Sequence, residues 1–350
     1  MSGERIQRDF GLDLVRAGAA VLVLAVHFFL NTDFYNVNMT GKTMAFAAVA
    51  RMMCMTCVPL FLMLTGYLCV QRTWSKGYYR KLLPILLTYL VAGALCLSFE
   101  GVWLGKETTL EIVLIRYLDF NASSYAWYIE MYIGLFLLSP FLNAAWTALK
   151  QNARLALVCT MLFLTALPAV TNIWEQILPD WWTGIYPITY YLLGAWLREH
   201  PIRIRAPWLL AGWIALAAAV GLLRYRMIEG GLFVWAEVSD WGSLFVVGET
   251  VCLFTLLRRA KGTRWPRPLR WCVHRVARVS LALYLVSSIS DQILYPYLRQ
   301  AVPFIPHRMF FLPLMVLVSL VCSGVMGQLV DWMVRALLRL LPRKGGEGRP

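Results

Sequence analysis

Residues 12–30, LDLVRAGAAVLVLAVHFFL, decide how the rest of the chain is read. The run is apolar and close to the roughly 20 residues that a helix needs to cross a bilayer. It also holds Arg16 and His27, which a span built only for structure would avoid. At about 100° per residue, their eleven-residue spacing is roughly three turns plus 20°, so both project from one helix face. They are then separated by about 16 Å along the axis. That matches the reach of a long, thin cofactor arm with its charged head at Arg16 and its reactive end at His27.

The composition extends this to the whole chain. Of 350 residues, 59% are apolar, 14% aromatic and 15% charged, and the mean hydropathy is +0.61. So much apolar surface belongs to an integral membrane protein. About ten apolar segments follow one another, at residues 12–30, 44–70, 82–103, 125–146, 155–173, 184–197, 207–223, 240–257, 279–298 and 309–334. The expected fold is therefore all-α and polytopic, with about ten transmembrane helices; the sixth segment is short for a straight span. One membrane domain over residues 1–342 is expected, followed by a polar, disordered tail at residues 343–350, RKGGEGRP. No cleavable signal peptide is expected, because the first apolar run contains Arg16 and lacks a small-residue cleavage pattern.

The net charge of +14 raises the question of nucleic acid, but the basic residues sit in short clusters between apolar runs. Such clusters mark a cytoplasmic membrane face rather than a nucleic-acid surface. With the N-terminus placed in the cytoplasm, 24 Lys and Arg fall in inner connections and 7 in outer ones, Arg16 and Arg51 lying inside spans. The positive-inside rule then puts both termini in the cytoplasm. The inner connection at residues 258–278 is the longest, and its arginines suit anionic lipid or a phosphate-binding surface. The eight cysteines lie mostly within apolar runs, and Cys54 and Cys57, a CxxC on one side of a helix, read as packing in the absence of a second pair. No metal site is expected.

Ionisable groups at membrane depth are costly and usually functional, which singles out Asp13, Arg16, His27, Arg51, Glu130, Glu249 and Asp291. Asp13 and Arg16, at i and i+3, can pair near the interface without any further function. His27, with an ordinary pKa of about 6.5, can take up and release a proton near neutral pH. Glu130 sits at a depth compatible with His27, where a carboxylate would fix the imidazole tautomer. Glu249 and Asp291 are left without an assigned role.

Several motifs, in order, resemble those of acyltransferase family 3, bacterial membrane proteins that acylate surface polysaccharides, lipid-linked sugars and related acceptors. Asp13, Arg16 and His27 are similar to its opening motif, and VPLFLMLTGYL at residues 58–68 to its second-span signature. YYRKLLP at residues 78–84 resembles the basic stretch before the third span, and AWYIEMYIGLFLLSPFL at residues 126–142 the signature of the fourth. In VSLALYLVSSIS, residues 279–290, Ser287 or Ser288 stands where many members carry a histidine after Tyr-Leu, so no role of that histidine carries over.

The resemblance implies a multi-pass protein of the bacterial cytoplasmic membrane. Its expected reaction moves an acyl group, acetyl first, from cytoplasmic acyl-CoA to a hydroxyl of an extracytoplasmic or lipid-linked glycan. Combined with the residues, it gives catalytic roles to His27 and Glu130 and CoA-phosphate binding to Arg16, Arg80 and Lys81. The bilayer, acyl-CoA and a glycan acceptor are the expected partners, with no nucleic acid and no metal. The competing possibility is a transporter or flippase for a lipid-linked sugar, against which stands the lack of a visible inverted repeat.

The loop charges make a testable topology. Cysteines substituted at Lys76 and Lys261 should be labelled only from the cytoplasm, and those at Lys106 and Arg226 only from outside. Labelling of position 261 from outside would overturn both the helix count and the side assigned to the donor.

Overall fold

The computed structural model describes residues 9–340. Arg5, Arg8 and the expected polar tail at residues 343–350 lie outside the described residues. The described residues are all-helical, 78% helix, and the one β-bridge among them, Asn38 to Leu232, ties two loops. The first helices are α1 (Phe10–Asn31), α2 (Gly41–Cys54), α3 (Cys57–Cys69), α4 (Leu83–Leu104) and α5 (Leu110–Leu118). Then come α6 (Trp127–Ala148), α7 (Gln151–Thr165), the single turn α8 (Pro168–Thr171), α9 (Tyr186–Glu199) and α10 (Ala206–Met227). The last are α11 (Leu244–Arg258), α12 (Arg267–Ala301), the single turn α13 (Ile305–Arg308) and α14 (Leu312–Leu340).

Nine helical stretches among the described residues are long and apolar enough to cross a membrane. The tenth expected segment is α9, whose 14 residues reach only about 21 Å. Neighbouring contacts nevertheless carry it from one end of the bundle to the other. At one end Arg258 pairs with Asp9 at 3.0 Å, Arg198 of α9 donates to the Tyr67 carbonyl at 2.7 Å, and Asp331 of α14 pairs with Arg278 at 3.4 Å. At the other end Arg308 pairs with Asp33 at 2.5 Å, Tyr225 donates to the Gly41 carbonyl, and Gly242 abuts Tyr186 at the start of α9. The two ends of the described chain therefore share one face of the bundle.

Three sequence expectations change. The second apolar segment is broken at Met55 and Thr56, so Cys54 closes α2 and Cys57 opens α3 instead of sharing one helix face. Residues 258–278 are not an extended loop: α12 begins at Arg267, and its 35 residues span about 52 Å, well beyond a hydrocarbon core of about 30 Å. The surplus is its basic first turns. Asp13 takes His274 of α12 as partner, Nδ1 to Oδ2 at 2.6 Å, rather than Arg16. This happens because α1 and α12 run side by side.

The sequence explains why α1 sits at the centre. Asp9 caps it by accepting from the Gly11 and Leu12 amides at 2.9 and 3.3 Å, satisfying donors that the first turn leaves open. Small residues then line its inward face: Ala17, Ala19, Ala20 and Ala25 are all buried. They let α1 approach α3, α11, α12 and α14. In lipid, where the hydrophobic effect gives helices little reason to associate, such close packing is what holds them.

The α3–α9 seam shows this most plainly. A Cβ at Gly66 would run into the Tyr191 carbonyl, and one at Gly194 into the Met63 carbonyl, so each glycine lets the opposite backbone in. Gly66→Ala and Gly194→Ala should each lower thermal stability in detergent, by the roughly 1–3 kcal/mol of overpacking or more. Gly134, with open space where a Cβ would go, supplies the control, since Gly134→Ala should be neutral or stabilising by up to about 1 kcal/mol. Equal behaviour of the three variants would contradict the close-contact seam.

Candidate active site

His27 lies in the last two turns of α1, 5% exposed, at the junction of α1, α12 and the connection into α6. Its ring stacks on Tyr125, with centroids 3.6 Å apart and planes 23° from parallel. Its Nδ1 faces α12, 3.3 Å from Ser287 Oγ and 3.6 Å from Asp291 Oδ2. Ser287 and Asp291 are one turn apart, so a single helix face delivers both.

The hydrogen bonds fix the imidazole. Ser287 donates its one hydroxyl proton to the Tyr284 carbonyl at 2.8 Å, so toward His27 its oxygen accepts. With an acceptor hydroxyl and a carboxylate before it, Nδ1 carries the proton, and Nε2 is left with its lone pair free. Asp291 is itself held, receiving the Tyr125 hydroxyl at 2.8 Å and the Ser319 hydroxyl at 3.3 Å. Asn31, one turn after His27, donates to the Tyr125 oxygen at 3.0 Å, and the Tyr284 hydroxyl reaches the Tyr125 carbonyl. A buried ring with this many fixed neighbours is pre-organised for proton transfer.

A cavity of about 360 Å³ opens beside the same helix toward the end that holds Asp9 and Arg258. Its mouth carries Arg16, Arg72 and Arg278, and its walls are apolar, with Val23, Val58, Phe61 and Ile85 among them. The inner end is closed by Tyr128 and Tyr284, whose ring centroids are 6.1 Å apart. Tyr284 is in turn 6.0 Å from the His27 ring. Cavity and imidazole are thus separated by one layer of tyrosine. Arg16 has no ion-pair or hydrogen-bond partner among the described residues, and its charge is directed at the cavity.

The residues expected from sequence divide clearly. Arg16 and His27 share a face and lie along one path, as their spacing requires. Glu130 does not join His27: it is exposed in the first turn of α6, where its charge suits the positive end of the helix dipole. The carboxylate at the imidazole is Asp291 instead. Arg80 and Lys81 are exposed in the 3₁₀ turn Tyr78–Leu82, one turn before the cavity-lining Ile85 and outside the cavity wall itself. Arg72 and Arg278, which do form the wall, were legible only as inner-loop charges. Asp291 had two signals, an acidic residue deep in an apolar run and its place one turn after the departure at Ser287. Glu249 is buried in α11, and neither of its oxygens has a hydrogen-bond partner among the described residues. No group of His, Cys, Asp and Glu among the described residues is arranged to hold a metal ion.

Comparison with known proteins adds one result. The model of a family described as an acyltransferase domain matches residues 9–324, nearly the whole membrane bundle. No curated protein and no solved structure matches the chain.

Proposed function

Because the chain belongs to that acyltransferase family, we propose that it moves an acyl group from acyl-CoA at the Arg16 end of the bundle to a glycan hydroxyl arriving from the opposite end, with His27 as general base. The observation that carries this is the order along α1: basic cavity mouth, apolar cavity, tyrosine layer, and an imidazole held by Asp291. A flippase has no need of an imidazole with a fixed tautomer beside an apolar dead end.

The residues fit an acyl thioester. A cavity of about 360 Å³ suits a pantetheine arm with its acyl end. The phosphates then stay at the mouth with Arg16, Arg72 and Arg278, where guanidinium forks match phosphate oxygens. Arg80 and Lys81 extend this basic rim. Acetyl-CoA is the proposed species, and the mouth is proposed to face the bacterial cytoplasm, since the inner-loop charges lie on that side.

At the reaction centre, His27 Nε2 takes the proton of the acceptor hydroxyl as its oxygen bonds to the thioester carbonyl carbon. Asp291 stabilises the imidazolium through Nδ1 and keeps the ring in place. When the carbon–sulfur bond breaks, Nε2 returns the proton to the departing thiolate, so the histidine ends neutral. Tyr128 and Tyr284 must part for the thioester to meet Nε2. Their closure otherwise shields the donor from water.

Removing the base should cost about 10² to 10⁴ in rate. His27→Gln, which keeps one hydrogen bond but cannot accept the proton, should lose transfer to that extent while acyl-CoA binding and thermal stability in detergent stay near native. The pH–rate profile of the unmodified protein should rise through one ionisation that is absent from the variant. Near-native turnover of His27→Gln would make the histidine structural.

The cavity mouth gives a separate expectation. A charged hydrogen bond to phosphate contributes roughly 1.5–3 kcal/mol, so Arg16→Ala, Arg72→Ala and Arg278→Ala should each weaken CoA binding about tenfold or more, measured by calorimetry. Arg16→Lys should recover only part, because it loses the fork. Unchanged CoA affinity in all three alanine variants would remove the donor from this cavity.

A further inference from the structure

At the end of the bundle opposite the basic cavity, two arginines are buried without an ion pair among the described residues. Arg51 of α2 is fully buried, and Arg224 of α10 is 8% exposed. Their guanidinium carbons lie 4.8 and 5.8 Å from the centroid of one ring, Phe233. Arg51 gives Nε to the Tyr35 hydroxyl at 2.8 Å and Nη1 to the Ser239 carbonyl at 3.3 Å, while Arg224 gives Nη2 to the Val234 carbonyl at 2.8 Å. Arg51 Nη2 and Arg224 Nε have no partner among the described residues.

Two buried like charges around one ring are costly unless an anion neutralises them. Among the described carboxylates Asp240 acts on Arg51 through space, but none forms an ion pair with either arginine. Asp240, the acidic residue between Ser239 and Trp241, spends Oδ1 on the Trp241 amide at 2.7 Å and pairs with neither arginine. Elsewhere at this end the fold neutralises a buried arginine fully: Arg308 meets Asp33 and three backbone carbonyls. The contrast leaves Arg51 and Arg224 with one through-space counter-charge, Asp240, and with open donors that a further anion would fill.

Aromatic rings connect this place to His27. Trp235 covers the Arg51 guanidinium at 4.3 Å, stacks on Tyr35, and is 40% exposed. Trp235 is 5.8 Å from Trp241, and Trp241 stacks on Trp127 at 4.7 Å. Trp127 is two residues from Tyr125, the ring under His27. A run of aromatic rings beside cations that bind charge matches a sugar bearing an acidic group.

We infer that the acceptor is an anionic glycan, a sugar bearing a carboxylate or phosphate, whose charge is received by Arg51 and Arg224 and whose rings lie along Trp235, Trp241 and Trp127. This rests on the proposed acyl transfer to a glycan hydroxyl and adds the substrate class. The order along α1 supports it, since Tyr35 follows directly from the helix end next to His27 and Arg16 lies at the other.

Binding to the unmodified purified protein decides the matter, followed by quenching of tryptophan fluorescence. The probes are a glucuronic acid oligosaccharide, the same oligosaccharide with its carboxyls reduced to alcohols, and its phosphorylated counterpart. At least one anionic form should bind about tenfold or more tightly than the neutral one, and the tighter of the two distinguishes carboxylate from phosphate. In Arg51→Gln and Arg224→Gln that preference should disappear. Equal affinity for all three sugars in the unmodified protein overturns the inference, whether or not the variants fold. Thioester turnover is scored separately: a clear anionic preference without any acyl transfer would leave the site standing and remove the transferase role of His27.

Discussion

Everything in the proposed chemistry depends on one contact, the Nδ1 face of His27 against Ser287 and Asp291. An imidazole in the interior of a membrane bundle would otherwise be free to turn, to hydrogen-bond a backbone carbonyl or to present either nitrogen. Because Ser287 spends its proton on the Tyr284 carbonyl and Asp291 is held by Tyr125 and Ser319, the ring has one orientation and one useful tautomer. The close packing of α1 on α12 exists to make that contact short. The small residues on α1 are what allow it.

The same helix gives the molecule its direction. Arg16 stands at a basic cavity and His27 about three turns beyond, past the tyrosine layer of Tyr128 and Tyr284. Beyond His27 the chain turns through Tyr35 into a wall of aromatic rings around Arg51 and Arg224. A phosphate-rich donor and a sugar acceptor are chemically distinct ligands. In the proposed reaction they would bind at opposite ends of one helix, with the base between, each in surroundings suited to it.

Much of this was legible in the sequence because it depends on periodicity along single helices. The shared face of Arg16 and His27, the ten apolar segments and the family motifs need only local spacing. What escaped depends on which helices touch. Depth alone made Glu130 a fitting partner for His27, but rotation about α6 turns it outward, and rotation is set by neighbours that spacing does not reveal. Asp13 found His274, 261 positions away, for the same reason. The break at Met55 and Thr56 had one signal, Pro59 four residues on, which cannot donate to the Met55 carbonyl and sits in the first turn of α3. The cavity wall combines Arg72 from a connection with Arg278 from within a long helix, and no local pattern relates them. The substitution at Ser287 was visible as a departure, and the contact it makes with His27 gives that departure its meaning.

The central claim is that donor and acceptor meet at His27 from opposite sides of the membrane. Proteoliposomes containing oriented protein test it directly, with labelled acetyl-CoA confined to the face bearing Arg16, Arg72 and Arg278 and a glycan acceptor confined to the other. Label should appear on the glycan in this arrangement, and none when the two compartments are exchanged. Labelling only when donor and acceptor occupy the same compartment would contradict it.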